Sequence, residues 1–132
     1  DLFYRLFERA GKIAYLPEKL YFYRKNPSSF INTLSPGRFD ALTVTDRILS
    51  YYSGTPLEPA ARDRRFSAHF NILLLLLRCG SDGHEAMSRA WSVVKRGRAE
   101  AIRNPKVRLK NKLGAILSYG GRPFLKLLSK LS

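Results

Sequence analysis

The segment from Phe70 to Leu77 is apolar almost all round, and Asn71 is the only polar residue in it. It forms the second half of a predicted helix that reaches Cys79. A helix that is apolar on every side has to be covered by other elements. We therefore expect this helix to be the central buried helix of the C-terminal part of the chain.

Helix signals also surround this segment. Ser35 followed by Pro36 is an N-cap residue with proline at the first helical position, and it predicts a helix to Tyr52 with Gly54 beyond its end. Residues 55–58, Thr-Pro-Leu-Glu, form a predicted capping box that opens the central helix.

The C-terminal third continues in the same way. Asp82 to Glu85 predicts the start of a further helix, Asn104-Pro105 restarts the chain, and Gly120-Gly121 separates the last two helical segments. Two apolar faces follow from the 3.6-residue period: Met87, Ala90, Trp91 and Val94 in the first of these helices, and Leu109, Leu113, Ile116 and Leu117 in the next.

Residues 1–34 have a different pattern. A short helix capped by Asp1 is predicted first, with Leu2, Phe3, Leu6, Phe7 and Ala10 on one face. Two short strands, 12–16 and 20–24, follow with a Pro17 turn between them. The predicted fold class is mainly α: a short helix and a two-stranded β element, followed by about five helices.

The positive charge is concentrated at the C-terminal end. The 132-residue chain has a net charge of +14, with 13 basic against 9 acidic residues in 1–94 and 11 against 1 in 95–132. A nearly balanced body with a basic end indicates a docking surface for a polyanionic partner rather than a basic groove along the whole domain.

Several classes of site are not indicated. Cys79 is the single cysteine, so it forms no intrachain disulfide, and we expect it to be a small buried residue. His69 and His84 have neither the spacing nor the neighbouring carboxylates or thiolates of a metal site. The longest apolar run, Ile72 to Leu77, is far shorter than the roughly 20 residues that span a bilayer.

The order of motifs in the first 32 residues resembles the end of the catalytic domain of family 2 glycosyltransferases. Asp1-Leu2-Phe3 is followed by Lys12 to Lys19, then by Leu20-Tyr21-Phe22-Tyr23-Arg24 and a serine at position 29. In that family an acidic pair opens a helix, and a strand-turn-strand ending in Tyr-Arg follows. The resemblance implies that residues 1–34 close a GT-A domain, an α/β fold, and that 35–132 form a helical extension that is basic from about residue 95.

The resemblance also implies roles for particular residues. Asp1 would be the general base that takes the proton from the acceptor hydroxyl in an inverting transfer. Arg24 and Lys25, with Asn26 and Ser29, would lie where the family binds the diphosphate or an acceptor phosphate. From the residues alone, a helix cap is the simpler interpretation of Asp1, and Arg24 is equally interpretable as the solvated end of a strand.

Asn26 departs from the family pattern, because many relatives carry a histidine there. An amide is a poorer ligand than imidazole for a divalent metal, so this loop is not expected to coordinate one. The Asp-x-Asp motif that binds metal and diphosphate in the family is also missing from these residues. We expect Mg²⁺ or Mn²⁺ in a longer parent enzyme, no metal on this fragment, and no sugar transfer by the fragment alone.

The last helix has two sides. Phe124, Leu127, Leu128 and Leu131 share one face, whereas Arg122, Lys126 and Lys130 share another. This pattern is typical of a helix lying on an anionic membrane, with Arg122, Phe124, Lys126 and Lys130 in contact with lipid. It is also typical of a helix that packs on a core, and nothing in it favours nucleic acid.

The sequence thus supports two functional hypotheses. The first is the C-terminal fragment of a bacterial glycosyltransferase that moves a sugar from a nucleotide-diphosphate donor to a hydroxyl of a cell-surface polysaccharide or lipid-linked acceptor. Such an enzyme would be cytoplasmic, peripheral at the inner face of the membrane. The alternative is a non-enzymatic basic helical module that binds an anionic membrane or an acidic partner. In either case, exposed strand edges in residues 12–24 are expected to favour homo-oligomers.

Overall fold

The computed structural model describes residues 2–22, 34–81 and 85–131, with side chains to residue 129. The described residues form six α-helices and one short 3-10 helix. In chain order these are α1 (Phe3–Arg9), α2 (Pro36–Tyr51), α3 (Glu58–Arg78), α4 (Glu85–Arg103), α5 (Leu109–Leu117), the 3-10 helix (Ser118–Gly120) and α6 (Gly121–Leu131). The mainly α class and the five helices after residue 35 are confirmed.

Helix α3 is the centre of the structure, as its apolar second half predicts. It contacts α2, α4, α5 and α6. Leu73 and Leu76 have no exposed surface, and they pack with Met87, Ala90 and Val94 of α4. Each side chain of this size contributes roughly 1.5–3 kcal/mol when it is fully buried. The predicted buried stripe of α4 is confirmed, with Trp91 partly buried at its edge.

The starts of two helices were predicted a few residues too early. Helix α3 begins at Glu58 and not at Thr55, because 55–58 forms a turn in which the Glu58 carboxylate accepts a hydrogen bond from the Gly54 N–H at 2.7 Å. Pro59 then lies in the first helical turn, where its missing N–H leaves no intrahelical bond unmade. Helix α5 begins at Leu109, after a turn that Asn104 stabilises by accepting from the Lys106 N–H at 3.0 Å.

The predicted two-stranded element is not present in the described residues. Residues 12–16 and 20–22 belong to neither a helix nor a strand, and 23–24 lie outside the described ranges. The physical reason is that two isolated strands are marginal without further strands or a packed helix. Phe22, for example, is 96% exposed. The described residues 12–22 form no strand edge. Homo-oligomer formation stays a prediction.

Two smaller expectations are also corrected. Cys79 is exposed, because it follows the last turn of α3 and faces away from the core. Helix α1 has Leu2 at its N-cap position without a side-chain cap, and Asp1 lies outside the described residues. The predicted break between α5 and α6 is confirmed: Gly121 has φ of +78°, a left-handed conformation that residues with a Cβ rarely adopt.

Candidate functional site

The predicted transferase residues Asp1, Arg24, Lys25, Asn26 and Ser29 all fall outside the described residues. Their proposed roles therefore stay predictions. Residues 2–22, which lie between Asp1 and Arg24 in the sequence, belong to the described structure.

Helix α1 contacts the end of α2 through tyrosines. The Tyr4 ring lies edge-on to Tyr51 and Tyr52, with centroid distances of 5.2 and 5.9 Å. Tyr51 also donates a hydrogen bond from its hydroxyl to the Glu8 carboxylate, which raises the pKa of Tyr51. One face of α1 is thus attached to the helical body.

The other face of α1 has no cover in the described structure. Its apolar side chains are exposed, and so are those of the segment that follows: Leu2, Phe3, Leu6, Phe7, Ile13, Tyr15, Leu16, Leu20, Tyr21 and Phe22. Single exposed apolar residues are ordinary, but ten large ones within residues 2–22 indicate an interaction surface. The predicted apolar face of α1 is therefore real, and it points away from this chain's own core.

A second apolar surface lies between α5 and α6. We call it the α5–α6 groove: a cleft of about 480 Å³ with Phe70 and Leu74 of α3 at its base, Leu109, Leu113 and Leu117 of α5 on one side, and Leu125 and Leu128 of α6 on the other. Leu109 is 72% exposed and Leu113 is 51% exposed. The sequence predicted this apolar face of α5, but only the structure shows that no other element covers it in the described residues.

Small and polar residues on the opposite side of α5 explain this orientation. Asn111, Gly114 and Ala115 are buried. The Asn111 side-chain amide donates to Asp63 at 2.7 Å, and Gly114 lies directly against the Phe70 ring. Because these contacts hold the small-residue side of α5 on α3 and α4, the leucines of α5 face outward.

Of the predicted membrane-binding residues of α6, Arg122 and Lys126 line a separate cleft beside Leu77 of α3. Arg122 and Phe124 are exposed and Lys126 is partly buried, whereas the side chain of Lys130 is outside the described set. The buried face of α6 is formed by Leu125 and Ser129, and the Ser129 carbonyl accepts a hydrogen bond from Arg78. Leu127, 60% exposed, lies outside that face. The predicted apolar face of α6 is thus only partly used for packing.

A charged cluster joins α2, α3 and α4. Asp46 accepts hydrogen bonds from Arg65 and, at 2.6 Å, from Arg89. Burial of the Asp46 carboxylate opposes its ionisation, but the bonds from Arg89 and Arg65 outweigh that penalty and lower its pKa. The sequence analysis did not identify this cluster, since its members come from three helices with no shared spacing.

His69 completes the cluster. It is fully buried, its Nδ1 lies 2.9 Å from the Arg65 carbonyl, and its Nε2 lies 4.0 Å from an Asp46 oxygen. Burial lowers the pKa of His69, which keeps the ring neutral. Because the carbonyl can only accept, Nδ1 carries the proton, and Nε2 has no hydrogen-bond partner among the described residues. A ring closed off from solvent cannot exchange protons with a substrate, so we assign His69 no catalytic role.

A polar cleft of about 320 Å³ lies between α2, α3 and α4. Arg62 and Arg96 line it together with Asp63 and Glu100. Arg62 bonds Glu58 and lies 3.6 Å from Glu100. Both signs of charge are present, and Arg62 faces carboxylates whereas Arg96 donates to the Ser92 carbonyl, so the lining selects neither an anion nor a cation.

Within residues 2–22, 34–81 and 85–131, no group of three or more His, Cys, Asp or Glu side chains is placed to hold a metal ion. None of the helices described combines the length and apolar character needed to cross a membrane. Comparisons with protein-family profiles, with curated proteins and with solved structures found no match to this chain.

Proposed function

We propose that this chain is the C-terminal part of an inverting family 2 glycosyltransferase: the closing segment of its GT-A domain, residues 1–34, followed by a helical extension. The observation that carries the proposal is the uncovered apolar face of residues 2–22, in the same segment whose motif order resembles the family. A segment of this kind requires an apolar partner surface. The body of a GT-A domain would supply that surface.

In the proposed enzyme the segment forms one wall of the catalytic cleft. Asp1 takes the proton from the acceptor hydroxyl as that oxygen attacks the anomeric carbon, and the bond from this carbon to the nucleoside diphosphate breaks, which releases the diphosphate. Arg24 and Lys25, with Asn26 and Ser29, contact the diphosphate of the nucleotide sugar or an acceptor phosphate. Carboxylate ligands outside this chain hold Mg²⁺ or Mn²⁺, since Asn26 is a poor ligand.

The activity test uses the longer protein that contains residues 1–132. Release of nucleoside diphosphate is measured over a panel of nucleotide sugars with Mg²⁺ or Mn²⁺. Asp1→Asn is expected to lower kcat by about 10²–10⁴, the usual contribution of a general base. Glu18→Gln is the matched control, because it removes an exposed carboxylate from the same segment. Full turnover by Asp1→Asn would show that Asp1 is not the general base. If no nucleotide sugar releases nucleoside diphosphate, the proposed transferase activity is contradicted.

The packing of residues 2–22 has a separate test. In residues 1–132 alone, trypsin is expected to cleave rapidly at Lys12 and Lys19, which are exposed and lie outside any helix. In the longer protein the same bonds should be protected, since the segment is then covered. Equal cleavage rates in both proteins would contradict the proposed GT-A contact.

The alternative function is a basic helical module with no chemistry of its own. The α5–α6 groove and the basic residues around it are the observation in its favour. The sequence upstream of Asp1 distinguishes the two. An Asp-x-Asp after a strand, within βα alternation, supports the enzyme, whereas a start codon directly before Asp1 supports the module.

A further inference from the structure

The outward side of α5 and α6 combines two properties that seldom occur together on a surface exposed to water. It presents large apolar side chains, and it lacks negative charge. The exposed apolar residues are Leu109, Leu113, Ile116, Leu117, Phe124 and Leu127. A contiguous apolar surface with a polar rim is typical of a docking site.

The rim of this surface is basic. Residues 101–132 contain no Asp or Glu. Lys110 and Arg78 line the α5–α6 groove itself, and Arg122 is exposed at the start of α6. Lys106 and Arg108 are exposed immediately before α5. A partner that covers the leucines of the groove therefore also meets Lys110 and Arg78 and no carboxylate of the groove lining.

This charge pattern selects among the possible occupants. A second copy of the chain would place two positive rims against each other, and the repulsion would oppose an apolar contact between them. An anionic bilayer instead offers headgroup phosphates for the cations and acyl chains for the leucines. Both properties of the surface are then used at once.

We propose that the outward face of α5 and α6, with the groove between them, docks on the surface of an anionic lipid membrane. The leucines and Ile116 enter the boundary between headgroups and acyl chains, and Lys110 and Arg122 contact lipid phosphates. The α5 helix is the main anchor, a role that the predicted α6 residues Phe124 and Lys126 share. This proposal does not depend on transferase activity.

The test is flotation of the purified protein with phosphatidylcholine vesicles and with vesicles that also contain phosphatidylglycerol. Binding is expected only to the anionic vesicles, and it should weaken as salt rises. Each basic residue near an anionic surface changes the partition coefficient about fivefold. Lys110→Gln with Arg122→Gln should therefore lower the coefficient about 25-fold at physiological salt.

A charge-matched control separates this face from the net charge of the chain. Arg64→Gln with Lys95→Gln removes two exposed cations from α3 and α4 that do not line the groove. At physiological salt, where the Debye length is about 8 Å, this control should retain the partition coefficient to within about twofold. If it loses as much binding as the Lys110 and Arg122 variant, the proposal is wrong, because binding then reflects net charge alone.

The apolar part has its own variant. Leu113→Ser with Ile116→Ser changes two exposed side chains, so the fold should be retained, and circular dichroism checks this. Removing two inserted side chains should lower membrane partition by about tenfold or more. Undiminished vesicle binding by this variant would overturn the proposal, because binding would then not use the apolar side chains of this face.

Two further readouts complete the test. In Leu127→Trp, fluorescence should be quenched by brominated phosphatidylglycerol, and an absence of quenching in bound protein would contradict insertion. Light scattering without lipid should show a monomer, or an association that Leu113→Ser with Ile116→Ser leaves unchanged. If this double variant abolishes an association, the face is an interface between copies and the membrane proposal fails. Failure to bind anionic vesicles at low salt would also refute it.

Discussion

Replacing Gly114 by alanine tests the contact that fixes the orientation of α5. A Cβ at this position would lie 2.6, 2.8 and 3.1 Å from three atoms of the Phe70 ring. Distances below 3.0 Å require a displacement of the ring or of α5. The ring is restrained because it stacks on Phe66 at 6.0 Å with an interplanar angle of 7°.

Two opposing effects set the size of the change. Overpacking of a core contact costs about 1–3 kcal/mol. Alanine in place of a helical glycine restores about 1 kcal/mol of helix propensity. The net loss expected for Gly114→Ala is therefore about 0–2 kcal/mol, which lowers Tm by up to roughly 8 °C in a domain of this size.

Gly97 provides a matched control, because it packs against Phe66, the ring that stacks on Phe70. It also lies inside a helix, and its added Cβ would be 3.2 Å from a single atom of Phe66. That contact requires only a few tenths of an ångström of adjustment, so Gly97→Ala should be neutral or stabilising by up to about 1 kcal/mol. Thermal and urea unfolding of the two variants measure the difference.

The double variant Gly114→Ala with Phe70→Leu distinguishes a steric clash from a general weakening of the core. If the clash with the ring is the cause, the smaller side chain should recover part of the loss, and the two changes should show a favourable coupling of about 0.5–2 kcal/mol. If Gly114→Ala is as stable as Gly97→Ala, or if the coupling is zero, the close approach of α5 to Phe70 does not fix α5 as described.

Three further changes test other parts of the structure. Leu73→Ala should cost about 2–5 kcal/mol in urea unfolding, since Leu73 is fully buried in the central helix, and a loss below 1 kcal/mol would contradict that position. Cys79 should react with a thiol reagent in the native protein as fast as a free thiol does, and a slow reaction would show that it is buried. The pKa values of His69 and Asp46 are both lowered in the fold, so the unfolded chain takes up protons first, and stability should fall as the pH drops below about 6.5 and again below about 3.8. His69→Asn should remove the first of these two decreases, and an unchanged pH profile of unfolding would argue against the buried neutral ring.

The boundaries of the helices were largely predictable because their signals are local. Ser35 with Pro36 predicts the start of α2, and the apolar run from Phe70 to Leu77 predicts a central helix, as observed. The strands were not predicted correctly, since strand formation depends on neighbours that residues 12–22 do not have. The start of α3 was misplaced because Thr55 and Glu58 match a capping box but form a turn that precedes the helix.

The candidate surfaces were likewise predictable from the sequence only in part. Periodicity showed that Leu109, Leu113, Ile116 and Leu117 share a face, and residue counts showed that basic residues accumulate after residue 95. Whether that face is buried depends on which side of α5 fits α3 most closely. The close approach of Gly114 to Phe70 and the bond from Asn111 to Asp63 decide it, and they turn the leucines outward.

The order of elements, the central place of α3 and the basic C-terminal end were thus determined by local sequence, because caps, prolines and a 3.6-residue period act over a few residues. The exposure of the α5–α6 groove, the uncovered side of α1 and the burial of His69 beside Asp46 were decided only by tertiary structure. Each of these depends on residues that are far apart in the chain and are brought together by packing around α3. Such contacts leave no pattern in the sequence of a single helix.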